Sequence, residues 1–394
     1  MNSLKKIAIA GFGMEGRALY EYLKGSAELH IFDERQVSVE GINATLHQDL
    51  SIPSDFDVVY KSPGIPTHKL LLESPHTHIS TLMDIVLEKV GERAIGVTGT
   101  KGKSTVASLI YHILHEAGKN VELFGNIGVA DMNILKTDSS SRIYVIELSS
   151  YQCEHITHSP HIAVLTNLYE EHLSHHGSFE AYRDAKMNIT KFQKQDDVFI
   201  QGDELPVAQP FETKLLGAHN QKNCAIALAA AEIFGVSEVE ARKHIATFNP
   251  LPYRLEKVGE YGGITFYDDS LATIPQATLA SIAALPRVDT IILGGEDRGI
   301  SFDAFAEALA KTAIATFIIF PDTGGKMLSE LKDRRTVPVS SMEEAVKAAY
   351  AHTPVGGTVL LSNASPSFNL FKDYKDKSAQ YRKWIQSFGS TAKL

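Results

Sequence analysis

The chain has 394 residues and 44% hydrophobic side chains, which excludes a disordered polypeptide and gives room for two or three separate cores. Lys and Arg number 38 against 47 Asp and Glu, a formal net charge of −9; this excludes nonspecific nucleic-acid binding and leaves anionic ligands to local cations and backbone N–H groups. Cys153 and Cys224 form neither a disulfide framework nor a zinc knuckle, and no uncharged run is long enough to span a bilayer, so the expectation is a cytoplasmic protein without membrane insertion.

Lys6 to Ala10 reads as a strand. Gly11-Phe12-Gly13-Met14-Glu15-Gly16 follows, leading into a helix from Arg17 to about Leu23, and a second strand, Leu29 to Phe32, ends at Asp33. Asp33 lies at the distance where a dinucleotide fold places its ribose-binding acid. Residues 1–81 are therefore expected to form a Rossmann-like domain for a nucleotide-like ligand, which at this point is either a nicotinamide cofactor or a nucleotide sugar. A strand from Asp57 to Tyr60 then meets the rigid turn Lys61-Ser62-Pro63-Gly64-Ile65-Pro66 at a carboxyl edge, and Thr81 to Val90 is helical.

The apolar strand Ala94 to Val97 runs into Thr98-Gly99-Thr100-Lys101-Gly102-Lys103-Ser104-Thr105, and then Val106, Leu109, Ile110, Ile113, Leu114 and Ala117 recur at helical spacing. Strand, glycine loop and helix make a phosphate cradle, in which Lys103 reaches the β- and γ-phosphates and the Ser104 hydroxyl faces Mg²⁺. The first glycine of the strict pattern is replaced by Val97, with Gly96 one residue early. Gly118 caps the helix, Val121 to Phe124 is a strand, and Gly125-Asn126-Ile127-Gly128 is a backbone-exposing turn.

Arg142 to Leu148 is apolar and carries Glu147, a candidate Mg²⁺ ligand. Among His155, His158, His161, His172, His175 and His176, only His172 follows a strand, Ile162 to Leu165, through a loop; the others are expected to be mostly solvated. The helix Phe179 to Lys191 contains Lys186, which spacing alone reads as a surface lysine. A second, alanine-rich helix, Cys224 to Phe234, presents Asn223 at its N-terminus. Asn249-Pro250-Leu251-Pro252 is a hinge, so residues 82–250 are expected to form a central P-loop ATPase-like domain with a parallel sheet.

From residue 251 to 394 strands and helices alternate again: Ile264 to Tyr267, Thr290 to Leu293, Thr316 to Phe320, Val337 to Val339 and Thr358 to Leu361. A further parallel, Rossmann-like sheet is expected, with polar loops at Asp268-Asp269-Ser270, Gly294 to Arg298 and Ser362 to Ser367. The fold class is α/β in three domains.

In this order the motifs resemble the Mur ligase family. The likeness rests on the phosphate loop, Gly125-Asn126-Ile127-Gly128, Glu147-Leu148-Ser149-Ser150-Tyr151-Gln152, Tyr182-Arg183-Asp184-Ala185-Lys186, His219-Asn220 with Asn223, and Leu251-Pro252-Tyr253-Arg254-Leu255-Glu256. The resemblance implies an ATP-dependent amide ligase of peptidoglycan precursor synthesis, adding D-glutamate to UDP-N-acetylmuramoyl-L-alanine through an acyl phosphate. It implies that Gly99, Thr100, Lys101, Gly102, Lys103, Ser104, Thr105, Asn223, Arg254 and Asp269 bind ATP. Two Mg²⁺ sites would use Ser104, Glu147, His172 and a carbamylated Lys186, the catalytic set being Lys103, Glu147, His172 and Lys186. The UDP-sugar would meet Gly13, Asp33, Arg35, Gly64 and Asn126; glutamate would meet Thr273, Arg298, Ser367 and Tyr374. A monomer is expected. The chain departs from the common pattern at Leu271, where many relatives have lysine, at Tyr253 for a histidine, and at Arg298 for a lysine. The alternatives are an L-glutamate-adding or folylpolyglutamate-type ligase and, in another class, a nicotinamide-dependent oxidoreductase.

Overall fold

The computed structural model describes residues 5–37, 41–126, 132–135, 138–331 and 333–391. Ile127 and Gly128 of the expected turn lie outside them. Among the described residues the strands form sheets of five, five and six members, with a small pair Ser51–Ile52 and Leu71–Leu72.

The first sheet has the order Thr45–His47, Glu28–Phe32, Lys6–Ala10, Val58–Lys61, Ile79–Ser80, parallel throughout. Its first helix is Met14–Leu23, beginning three residues before the expected Arg17, because Gly13 already supplies the extended entry conformation. Gly16 packs against the strand turn so closely that a Cβ would stand 2.1 Å from the Gly11 carbonyl oxygen.

The second sheet has the order Val198–Gln201, Ile162–Leu165, Ala94–Thr98, Ile143–Glu147, Val121–Gly125, again parallel. Such strands are covered on both faces and read as continuous apolar runs. Helix Leu82–Val90, capped by Thr81, joins the two sheets: its Leu82, Val86 and Val90 share one core with Ile7 and Ile9 of the first sheet and Tyr144 and Ile146 of the second.

The third sheet corrects an expectation. Its order is Glu256–Tyr261, Ile264–Asp268, Thr358–Leu361, Thr290–Gly295, Thr316–Asp322, Arg335–Pro338, and the first of these strands is antiparallel. Glu256–Tyr261 escaped notice because it is an edge strand without buried residues to set an apolar alternation. The chain divides into two compact units, residues 1–212 with 221–247, and residues 213–220 with 248–394. No described helix is long and apolar enough to cross a membrane.

Candidate functional site

Ala94–Thr98 is the middle strand of the second sheet and runs directly into the glycine loop, where Gly99 takes φ +140° and Gly102 φ +85°. Neither accepts a side chain: a Cβ on Gly99 would stand 1.9 Å from Thr166 Oγ1, and one on Gly102 would stand 2.8 Å from Asn223 Oδ1. Residues 166–171 hold the loop from outside. Thr100 N donates to the Asn167 carbonyl at 2.9 Å, Lys101 N to Asn167 Oδ1 at 2.9 Å, and the Thr166 hydroxyl to the Lys101 carbonyl at 2.6 Å. Lys101 Nζ pairs with Glu171 at 2.8 Å.

Lys103 opens the helix Lys103–Glu116 and turns its ammonium back over the loop, 3.0 Å from the Gly99 carbonyl and 2.9 Å from that of Thr100. Ser104 and Thr105 are buried beside it. A cation above backbone groups at a helix N-terminus suits a polyphosphate.

Glu147 ends the neighbouring strand opposite Val97 and is 1% exposed. Its Oε1 accepts from Asn126 Nδ2 at 3.1 Å, while Oε2 is buried with no hydrogen-bond partner. A buried carboxylate oxygen left unpaired is costly, and a divalent cation with its preference for hard oxygen ligands resolves that cost. The donor set therefore fits Mg²⁺.

Lys186 is buried, contrary to its reading as a surface lysine. Its Nζ donates to the Gly99 carbonyl at 2.7 Å, and burial together with nearby Lys103 pushes it down to about 7. The amine is thus far more readily deprotonated than an exposed lysine. His172 sits at φ +59° with Nδ1 2.7 Å from the Tyr151 hydroxyl; burial pushes it down to about 4, leaving a neutral imidazole able to ligate a metal.

The first sheet carries a cavity of about 460 Å³ at its carboxyl edge, lined by Gly13, Asp33, Arg35, Gly64 and Asn126 among others. Asp33 is 4% exposed and accepts from Phe12 N at 2.8 Å, from Arg35 N at 3.0 Å and from Arg35 Nε at 3.1 Å. Burial works against ionisation there, but the Arg35 guanidinium and the two N–H groups hold the carboxyl below its ordinary value. Asp33 thereby spreads Arg35 along the rim.

In the second unit, polar groups collect after successive strands of the third sheet. Asp269 accepts from Ser281 Oγ at 2.7 Å, Ser362 Oγ at 2.8 Å and Leu255 N at 3.1 Å, and burial pushes it up to about 6. Arg298 lies 3.0 Å from Glu296 and is half-exposed. The loops carrying Arg298 and Ser367 are tied together by Glu296 N to the Pro366 carbonyl at 2.6 Å. Tyr374 opens the last helix and meets the Tyr253 ring edge-on at 5.4 Å. Tyr253 and Leu255, following Leu251-Pro252, both have positive φ, +66° and +49°.

The chain matches the Mur ligase middle domain over residues 97–210 and the Mur ligase glutamate ligase domain over residues 253–364. It is 32% identical to the UDP-N-acetylmuramoyl-L-alanine–L-glutamate ligase of Salinispora tropica, the alignment covering 97% of each chain. The chain belongs to the Mur ligase family. It is also 29% identical to the UDP-N-acetylmuramoylalanine–D-glutamate ligase of Acetivibrio thermocellus, over 97% of this chain and 96% of that one. Among solved structures, the UDP-N-acetylmuramate–alanine ligase of Thermotoga maritima superimposes with a TM-score of 0.62 at 16% identity, covering 98% of this chain and 99% of that one, which establishes a common fold.

Several features of this Mur ligase were hidden in its sequence. Lys186 shares the buried stripe of helix Phe179–Lys191 with Tyr182, Ala185 and Ile189, the i, i+3, i+4, i+7 pattern that could have shown it to be inside. Two of the histidines expected to be solvated are not: the side chains of His175 and His176 are 7% and 2% exposed, against 39% for His172. The helix expected from Cys224 is Ala218–Ile233, so Asn223 is an interior residue facing Gly102 rather than an N-terminal one. Alanine-rich composition set the predicted start too late, since His219 and Asn220 also accept helical geometry. Thr166 and Asn167 hold the phosphate loop and carried no signal of their own.

Proposed function

We propose that this Mur ligase is an ATP-dependent ligase that joins D-glutamate to UDP-N-acetylmuramoyl-L-alanine in peptidoglycan precursor synthesis. The observation that carries the reading is the unpartnered, buried Glu147 Oε2 on the strand adjoining the loop that holds Lys103. The proposed domains are 1–81 for the UDP-sugar, 82–250 for ATP and 251–394 for the amino acid, in a cytoplasmic monomer; the buried Cys153 and Cys224, which form no disulfide framework, suit a reducing compartment.

A carboxylate is a poor electrophile, so the terminal phosphoryl group of ATP passes to a carboxylate oxygen of the UDP-sugar substrate and ADP is released. The glutamate amine then attacks the carbonyl carbon, loses a proton, and phosphate leaves with the former carboxylate oxygen. Lys103, with Gly99, Thr100, Lys101, Gly102, Ser104 and Thr105, holds the transferring phosphates. Asn223, Arg254 and Asp269 complete the nucleotide set. Ser104 with Glu147, and His172 with Lys186, would hold Mg²⁺, which would supply charge neutralisation. For that role the Lys186 amine adds to CO₂ and loses a proton, giving a carbamate oxygen ligand in place of a repelling ammonium; its depressed proton affinity supports the step.

Gly13, Asp33, Arg35, Gly64 and Asn126 hold the UDP-sugar in the first-sheet cavity, and Thr273, Arg298, Ser367 and Tyr374 receive glutamate. Arg298 can pair with a carboxylate through two parallel hydrogen bonds, which lysine cannot. A second reading is an L-glutamate ligase: relatives of that name are 32% identical, and Leu271 removes a positive charge usual beside the amino acid. The test is phosphate release and product formation with UDP-N-acetylmuramoyl-L-alanine and each glutamate enantiomer. Release requiring both substrates, with D-glutamate preferred, supports the proposal; preference for L-glutamate selects the second reading, and full release without either substrate overturns both.

A further inference from the structure

Behind the Tyr151 ring lies a second cluster of metal-ligating side chains that the ligase chemistry does not use. Glu154 follows the short helix Ser150–Cys153, and His175 and His176 close the short helix Leu173–His176. His175 Nε2 is 3.1 Å from Glu154 Oε1, His176 Nδ1 is 3.5 Å from the same oxygen, and the three ligand atoms all lie within 4.8 Å of one another. Distances of this size suit donors that share one ion at about 2 Å from each. Among the described residues this is the group of His, Cys and carboxylate side chains assembled closely enough to do so.

We propose that Glu154, His175 and His176 form a transition-metal site, with Zn²⁺ as the ion its donors favour. Two imidazoles and one carboxylate suit zinc, whereas Mg²⁺ favours a ligand set dominated by oxygen. The surroundings are those of a built site. His176 Nε2 lies 3.0 Å from Ser150 Oγ, so the hydroxyl fixes the ring with Nδ1 turned to the ion, the outer-shell partnership that ligating histidines need. Lys61 Nζ lies 2.7 Å from Glu154 Oε2, keeping that oxygen occupied and leaving Oε1 to the ion. The site is separate from that of His172, yet Tyr151 touches both, its ring tilted against that of His175 at 4.0 Å and its hydroxyl bonding His172. An ion there would clamp the two short helices together.

The test is zinc uptake by the nucleotide-free full chain, measured as metal per chain after gel filtration, with Co²⁺ as a spectroscopic substitute. Wild type is expected to keep one equivalent, to show the absorption of a nitrogen- and oxygen-ligated Co²⁺ ion, and to gain Tm on adding zinc. Glu154→Gln and His175→Ala should each weaken zinc at least tenfold and lose the Tm gain, while His172→Ala keeps both. The near-isosteric Glu154→Gln guards against loss through misfolding, checked by an unchanged circular dichroism spectrum. No uptake by wild type, equal uptake by all variants, or loss confined to His172→Ala would each overturn the proposal, and none of these outcomes bears on ligase activity.

Discussion

Lys186 Nζ lies 2.7 Å from the carbonyl oxygen of Gly99, the same oxygen that accepts from Lys103 Nζ at 3.0 Å. Two lysines thus meet at one backbone atom of the phosphate loop, and their mutual repulsion adds to burial in driving the more enclosed one toward its neutral form. This pairing links the loop that binds phosphate to the amine proposed to become a metal ligand.

Replacing Lys186 by alanine is expected to lower turnover by on the order of 10²-fold or more. Added formate or acetate should restore part of it by supplying the missing carboxylate, and wild type but not the variant should lose activity in CO₂-depleted buffer. Steady-state phosphate release measures all three. Identical responses to CO₂ depletion would remove the carbamate role.

The same residue makes stability depend on pH. Its folded value of about 7 lies below the ordinary 10.5, so between these values the unfolded chain binds more protons and stability rises with pH. In CO₂-free buffer, Lys186→Met should raise Tm more at about pH 6.5 than at about pH 9.5, where the wild-type amine is already neutral. A gain independent of pH would show that the lysine is not titrating as argued.

Lys103→Ala should abolish turnover while leaving UDP-sugar binding within about twofold, because the 460 Å³ cavity contains no atom of Lys103 in its lining. Isothermal titration with the UDP-sugar checks the second half. Joint loss of both would indicate misfolding.

Asp33→Ala removes the acceptor for Phe12 N and the partner of Arg35, and should cost about 1–3 kcal/mol while raising KM for the UDP-sugar and leaving KM for ATP unchanged. The folded carboxyl sits below its ordinary 3.8, so its stabilising effect is complete above that value and is lost as pH falls through the folded one. Urea unfolding at about pH 7 should therefore separate variant from wild type, and acid should narrow the gap.

Gly99→Ala should destabilise the protein by about 2 kcal/mol or more, since φ +140° and the 1.9 Å approach to Thr166 Oγ1 penalise the same added carbon. Thr166→Gly relieves the 1.9 Å contact but also removes the hydroxyl's bond to the Lys101 carbonyl, so its single variant is the reference for the Gly99→Ala, Thr166→Gly double variant. Thermal unfolding of wild type, the two single variants and the double variant separates the two contributions.

What the sequence determined by itself was whatever depends on near neighbours in the chain. The strand, glycine loop and helix around Lys103, the helix Phe179–Lys191 and the strands Ile162–Leu165 and Thr358–Leu361 all follow from local periodicity and turn chemistry. Likeness of ordered motifs to a family further singled out Gly13, Asp33, Arg35, Gly64 and Asn126, which come from four separate segments and line one cavity. Tertiary structure alone decided which polar groups lose their water. It buried Lys186 and His176, left Glu147 Oε2 without a partner, set Asn223 against Gly102 and brought Lys61 to Glu154. Desolvation and ion pairing depend on distances between residues far apart in sequence, so no local pattern could report them, and they are the quantities that turn these side chains into candidate ligands.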